Sequence, residues 1–305
     1  MMNVKGGLRL AALAVGTCFV GTAVAVDATW IGGASGNWND VNNWSGGVVP
    51  NGADAVARIE STSDVAISVG SGTYTVGAIH AAGGNHVITG TGSINLNASS
   101  GTGVVAVAES AALTVGCRLD AAAPHGTALA KTGRGTFEVT NLVGRARPLN
   151  GIDVRQGAFS FNERRGGDHI NPGGRVTVRA GATANLMTAN LLVNDTVIDV
   201  KAGGTFDAHD KSDLIAAIVG EGLVTNSVNF RLTLKGGPHV FSGRFSGRVT
   251  LERWKGHSGS LTDIGYEPDN AKRRWVVGTR DGLADATVAF ISDLPDDRPL
   301  SFSPK

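Results

Sequence analysis

The residues most able to do chemistry lie in one short stretch, FDAHDKSD, residues 206 to 213, which holds Asp207, His209, Asp210, Lys211 and Asp213. Several carboxylates beside a histidine and a lysine are a set that can hold a divalent cation and abstract a proton from a uronic acid. The same residues also suit a polar turn or a helix start, with Asp and Ser as caps. A second group, NERRGGDHINPGG, carries Arg164, Arg165, Asp168 and His169 between Gly-Gly and Pro-Gly-Gly, which is loop chemistry. A third candidate is aromatic. Trp30, Trp38 and Trp44 sit in ATWIGGASGNWNDVNNWSGGVVP, so three of the chain's five tryptophans fall within one Gly- and Asn-rich segment. Exposed and coplanar, they would stack on sugar faces; packed together, they would cover an apolar end.

Little else is catalytic in type. His80, His86, His125, His239 and His257 are scattered without metal-ligand spacing, so no metal or other cofactor is expected. No Gly-x-Ser-x-Gly is present, and Cys117 follows an apolar strand pattern, as a small buried hydrophobe would.

The elements that position these groups follow from composition and period. Forty-four glycines among 305 residues, with many short Val, Thr and Ala runs, make a strand-and-turn chain. Only AHDKSDLIAAIVG has a pattern that allows a helical turn or two. The segments ITGTGSINL, VAESAALTV, KTGRGTFEV, DVRQGAFSF, TVRAGATANL, DVKAGGTFDA and IVGEGLVTN share an apolar approach, a turn and an alternating strand. Their turn positions, Gly92, Ser110, Gly135, Gly157, Gly181, Gly203 and Gly222, recur about every 22 residues. A β-sandwich has strands recurring at roughly 8 to 12 residues with no longer phase. The period therefore predicts a right-handed parallel β-helix, a single-chain β-solenoid whose rungs stack about 4.8 Å apart. In GTFEV, Phe137 and Val139 point inward while Thr136 and Glu138 face water; Phe159 and Phe161 fill the next layer. An open first rung needs cover, and the Trp-rich segment is the candidate cap.

The stretch LAKTGRGTFEVTNLVGRARPLNGIDVRQGAFSF resembles the autotransporter-associated β-strand repeat, Leu-x-Lys-x-Gly-x-Gly-x-Leu followed by Gly, an apolar stretch and Gly-x-Leu. Leu129, Lys131, Gly133 and Gly135 fall on it, Phe137 replaces the usual leucine, and Gly151, Val154 and Gly157 follow. A weaker copy carries Phe241, Ser242, Gly243, Gly247, Leu251, Lys255, Gly256, Gly259 and Leu261. The opening segment, with Pro50, Asp54, Ala55 and Val56 after its tryptophans, is similar to the start of many exported proteins with this repeat. The resemblance implies a surface-displayed or secreted β-helix of a Gram-negative-type bacterium.

The first residues agree with export. Lys5 and Arg9 precede an apolar run from Leu10 and the triplet Ala23, Val24, Ala25, the layout of a cleaved signal over residues 1–25. Residues 26–60 then form the Trp-rich segment, 61–265 the β-helix, and 266–305 a terminal rung and tail. Removing Lys5 and Arg9 takes the basic residues from 27 to 25 against 26 acidic ones, so no nucleic-acid footprint is expected. No later stretch approaches the roughly 20 apolar residues of a membrane-spanning helix. The expected function is a non-catalytic structural or adhesive β-helix whose partners are cell-surface glycans or other surface proteins. A polysaccharide-lyase-like enzyme is the alternative, and it requires acidic side chains from neighbouring rungs to meet on one face. Glycan binding through Trp30, Trp38 and Trp44 is the other.

Overall fold

The computed structural model describes residues 25–121, 127–140, 149–163 and 174–225, together with Phe241, residues 243–246 and the backbone of four later strands. Apart from Ala25, the proposed signal over 1–25 lies outside the described residues, as do Arg164, Arg165, Asp168, His169 and Trp254.

The chain winds into a right-handed parallel β-solenoid. One face is a nine-stranded sheet of Ala28–Thr29, Val56–Ser61, Ala78–Gly83, Thr102–Val107, Ala128–Thr132, Ile152–Val154, Arg175–Val178, Val197–Val200 and Ala217–Gly220. A second face is a ten-stranded sheet that takes the next strand of each turn, from Ser35–Asn37 to Arg244–Ser246. Thr73–Val76, Ser93–Leu96 and Arg118–Ala121 form a short third face. Each strand of the two long faces has its parallel partner one turn away, so backbone groups are satisfied between rungs and side chains of like position stack.

The core is built from those stacks. On the second face Phe137 pairs in register with Phe159 and Val139 with Phe161, as the alternation requires. The Phe137 and Phe159 rings stack at 5.1 Å, and Phe159 meets Phe161 edge-on at 4.5 Å. Column-mates Leu113, Phe137, Phe159, Ala184, Phe206 and Val224 are all buried. Phenylalanine beside alanine in successive layers lets large and small side chains share the interior without voids. Cys117 is buried here too, and burial pushes its thiol up to about 12, which suits a packed hydrophobe and not a nucleophile.

Two sequence expectations are corrected by the register. Six of the seven aligned turn positions lie within one residue of the corner that opens the second face, but Gly92 opens Ser93–Leu96 on the third. The equivalent of Gly135 in that turn is Gly84, because Thr136, Ala112 and Asn85 are in register. The helical turn expected in AHDKSDLIAAIVG is absent: Asp213–Ile215 and Ala217–Gly220 are strands. His209 and Asp210 hold φ of 43° and 64°, which interrupts a right-handed helix, and pairing with Val197–Val200 captures Ala217–Gly220. Parallel pairing continues through Arg244–Ser246 and Val249–Arg253, and only then changes, with Thr287–Asp293 antiparallel to both Val249–Arg253 and Arg273–Thr279.

Candidate functional site

The acidic stretch does not assemble into one centre. Asp207 lies on the outer side of the second face, where Glu138, Ser160, Asn185, Asp207 and Thr225 stand in register. Its Oδ1 accepts from the His209 backbone N–H at 3.0 Å, and His209 Nε2 lies 3.5 Å from Asp207 Oδ2 and 3.3 Å from Asn185 Oδ1. Asp213 turns the other way. Buried, it accepts the backbone N–H groups of Leu191 and Leu192, each at 3.0 Å, and that of Leu214 at 2.8 Å. Its carboxylate ties the 191–192 segment to its own strand, a structural task that fills both oxygens. Lys211 donates its backbone N–H to Ala208 O and closes the turn.

The nearest acid in the Asp207 column is Glu138, three rungs away and so roughly 14 Å distant. That is not the meeting of acids on neighbouring rungs that the lyase reading requires. Among the described residues no group of three or more His, Cys, Asp or Glu is placed to hold a metal ion.

The three tryptophans are built into the first turn itself. Ala28–Thr29 extends the first face and Ser35–Asn37 the second, so this segment is itself the first described rung. Trp38 and Trp44 are fully buried and Trp30 is 6% exposed. Trp44 donates Nε1–H to Trp38 O at 2.7 Å, Trp38 to Pro50 O at 3.3 Å and Trp30 to Gly33 O at 2.9 Å. Trp30 and Trp44 meet at 85° and Trp38 and Trp44 at 62°. A sugar platform needs exposed, nearly coplanar faces; this cluster offers edge-to-face packing with every indole N–H engaged. In a Trp254→Phe/Trp275→Phe background, emission from the remaining three should be blue-shifted and unchanged by added glycans. A glycan-induced shift would restore the platform.

Lys131 holds the least expected position. It occupies the inward column Ile79, Val105, Lys131, Val154, Val178 and Val200, every member fully buried. Its ammonium donates to Thr132 O at 3.0 Å, Gly133 O at 2.7 Å and Gln156 O at 3.0 Å. Burial pulls its pKa down to about 8, and the three acceptors keep the proton in place at neutral pH. The corner bends so sharply that its carbonyls turn inward, and one lysine satisfies three of them across two rungs.

The outer side of the first face holds an ionic lattice whose signal was present in the aligned segments as Asp-Val-Arg, Thr-Val-Arg and Asp-Val-Lys. Asp153, Thr177 and Asp199 are in register, and Arg155, Arg179 and Lys201 follow them. Asp153 accepts from Arg155 Nε at 2.9 Å and Arg179 Nε at 2.8 Å, while Asp199 takes Arg175 at 2.7 Å and Lys201 at 2.9 Å. Burial acts to raise the Asp153 pKa, but hydrogen bonds and charge from Arg179 and Arg155 prevail and hold it below the ordinary carboxylate value. Asp153 is thus a poor general acid. Its contribution to stability is complete above the unfolded carboxylate pKa and disappears as pH falls through the lowered folded value. Urea midpoints of Asp153→Asn and the parent chain should therefore converge in acid and separate at neutral pH.

No protein-family model matches the chain, and neither curated proteins nor solved structures give a match.

Proposed function

We propose that the chain is a non-catalytic β-solenoid, exported and displayed outside a Gram-negative-type cell, where it serves as a structural or adhesive module related to the autotransporter-associated repeat proteins. The observation that carries this reading is the use of the motif residues. Lys131 ties two rungs together, Gly133 and Gly157 take left-handed φ of 74° and 65°, and Leu129 and Phe137 fill the core. Residues selected for building a rod, with the chemistry-bearing Asp207, His209 and Asp213 engaged in local turns and ties, suit a scaffold. The signal layout of residues 1–25 and the near-neutral mature charge agree with export and with a partner other than nucleic acid.

The test is expression of the full chain with a C-terminal epitope in a Gram-negative host, beside a form lacking residues 1–25. Intact cells carrying the full chain should be labelled by external antibody and attach more strongly to glycan-coated surfaces; the shortened form should do neither. Retention of the full chain inside the cell overturns the reading.

A further inference from the structure

We propose that the corner bearing Arg155, Arg179 and Lys201 binds a linear acidic polysaccharide, one with carboxylate or sulfate groups along its length; this names a partner for the adhesive reading above and rests on it. The three cations form a straight row. Backbone N–H groups of Arg155, Arg179 and Lys201 donate to Lys131 O, Val154 O and Val178 O, each at 2.9 Å, which continues the parallel ladder past the strand ends. Successive members therefore rise by about 4.8 Å and project from the same side.

The lattice beneath the row sets its sign. Side chains of Arg155, Arg179 and Lys201 are 49%, 51% and 47% exposed, whereas the carboxylates that hold them, Asp153 and Asp199, are 20% and 7% exposed. With Arg175, four cations stand over Asp153 and Asp199, and the next position of the ladder is the exposed Glu221, so the positive surface presented to solvent spans the three rungs from Arg155 to Lys201 and ends there. Each cation is already fixed by its carboxylate. Little side-chain freedom remains to be lost when an anion docks, and the half-exposed cations keep N–H groups toward solvent.

A concavity adjoins the row. Arg134, Gln156, Gly157, Ala180 and Gly181 line a cavity of about 320 Å³ at the corner into which Arg155 and Arg179 lead. Small side chains at three of these positions leave the notch, while Arg134 and Gln156 give it a cation and an amide. Arg134 is largely exposed, with Glu109 3.8 Å away. A volume at the lower end of small-molecule sites fits one sugar ring, and neighbouring rings would lay their anionic groups along the row. The described strands at this corner are paired on both sides, so an acidic peptide has no free edge to extend. Three cations within roughly 10 Å fall short of the 6 to 10 phosphate contacts typical of duplex DNA binders.

The experiment is calorimetric titration of the purified full chain with polygalacturonate and with heparin, beside dextran, duplex DNA and polyglutamate. Polygalacturonate, heparin or both should bind at low salt and weaken as salt rises; which one does so separates carboxylate from sulfate recognition. Arg134→Gln, at an exposed position, should weaken binding by about fivefold without changing the melting temperature. Asp153→Asn/Arg155→Gln/Arg179→Gln removes charges together, leaves no buried carboxylate unpaired, and should weaken binding by about tenfold or more. If that variant fails to fold, Arg134→Gln and the salt dependence decide. Absence of binding to both acidic glycans, equal binding by folded variants, or equal affinity for DNA or polyglutamate overturns the proposal. Cells that adhere equally with the row intact or removed would refute the row and spare the adhesive reading; glycan binding by a chain retained inside the cell would do the reverse.

Discussion

Lys131→Met should lower the free energy of unfolding by about 3 kcal/mol, read from urea denaturation at neutral pH. Methionine matches the length of the lysine stem and belongs in an aliphatic stack, so packing between Val105 and Val154 is largely retained. What is lost is the donor set. The carbonyls of Thr132, Gly133 and Gln156 each lose a partner at the same corner, and a carbonyl deprived of its partner in the interior costs on the order of 1 kcal/mol or more. Alkaline pH supplies an independent readout. The unfolded chain keeps the lysine proton up to its ordinary pKa, whereas the native chain releases it near 8, so the unfolded state binds more protons between those values. Parent stability should therefore gain a contribution across that window that Lys131→Met lacks. An equally stable or more stable methionine variant would mean that water can replace the ammonium.

Gly157→Ala should be at least as damaging, about 4 kcal/mol or loss of folding, because two penalties coincide. Gly157 has φ of 65°, and an added Cβ would lie 2.4 Å from Gly135 O and 2.6 Å from Gly133 O, both backbone atoms of the rung beneath. The left-handed φ alone costs on the order of 1–2 kcal/mol for alanine. The contact cannot be relieved by a side-chain rotation; the corner must move, and with it the carbonyls that Lys131 holds. Gly181 provides the control. It also has positive φ, 73°, but an added Cβ meets nothing within 4 Å, so Gly181→Ala should show only the smaller conformational cost. Circular dichroism melts of the two variants separate the contributions.

The solenoid was legible because its period is carried by steric necessity. Glycine recurs where neighbouring corners touch, as at Gly135 and Gly157, and alternation places Phe137, Val139, Phe159 and Phe161 inside. The phase was legible to within a residue at six of the seven turns but missed by eight residues at Gly92, which looks like Gly135 as a turn signal and differs in which face follows. Chemistry was harder to read. In FDAHDKSD the three aspartates, the histidine and the lysine are types that fit a metal or acid-base site, but the backbone reverses at His209 and Asp210 and sends Asp207 and Asp213 to different tasks. Lys131 was visible as a motif position, but nothing local to it reveals that its partners include Gln156 O on the next rung, 25 residues on. The ionic lattice was written in three aligned triplets, and it emerges only when rungs are placed one above another.

The most direct test of the scaffold account is incubation of the purified chain with uronate- and sulfate-bearing polysaccharides, followed by measurement of new reducing and unsaturated chain ends. A scaffold should retain the glycan without new ends, both as the parent chain and as Asp207→Asn/His209→Ala/Asp210→Asn. Chain cleavage by the parent protein that disappears in that triple variant would contradict it.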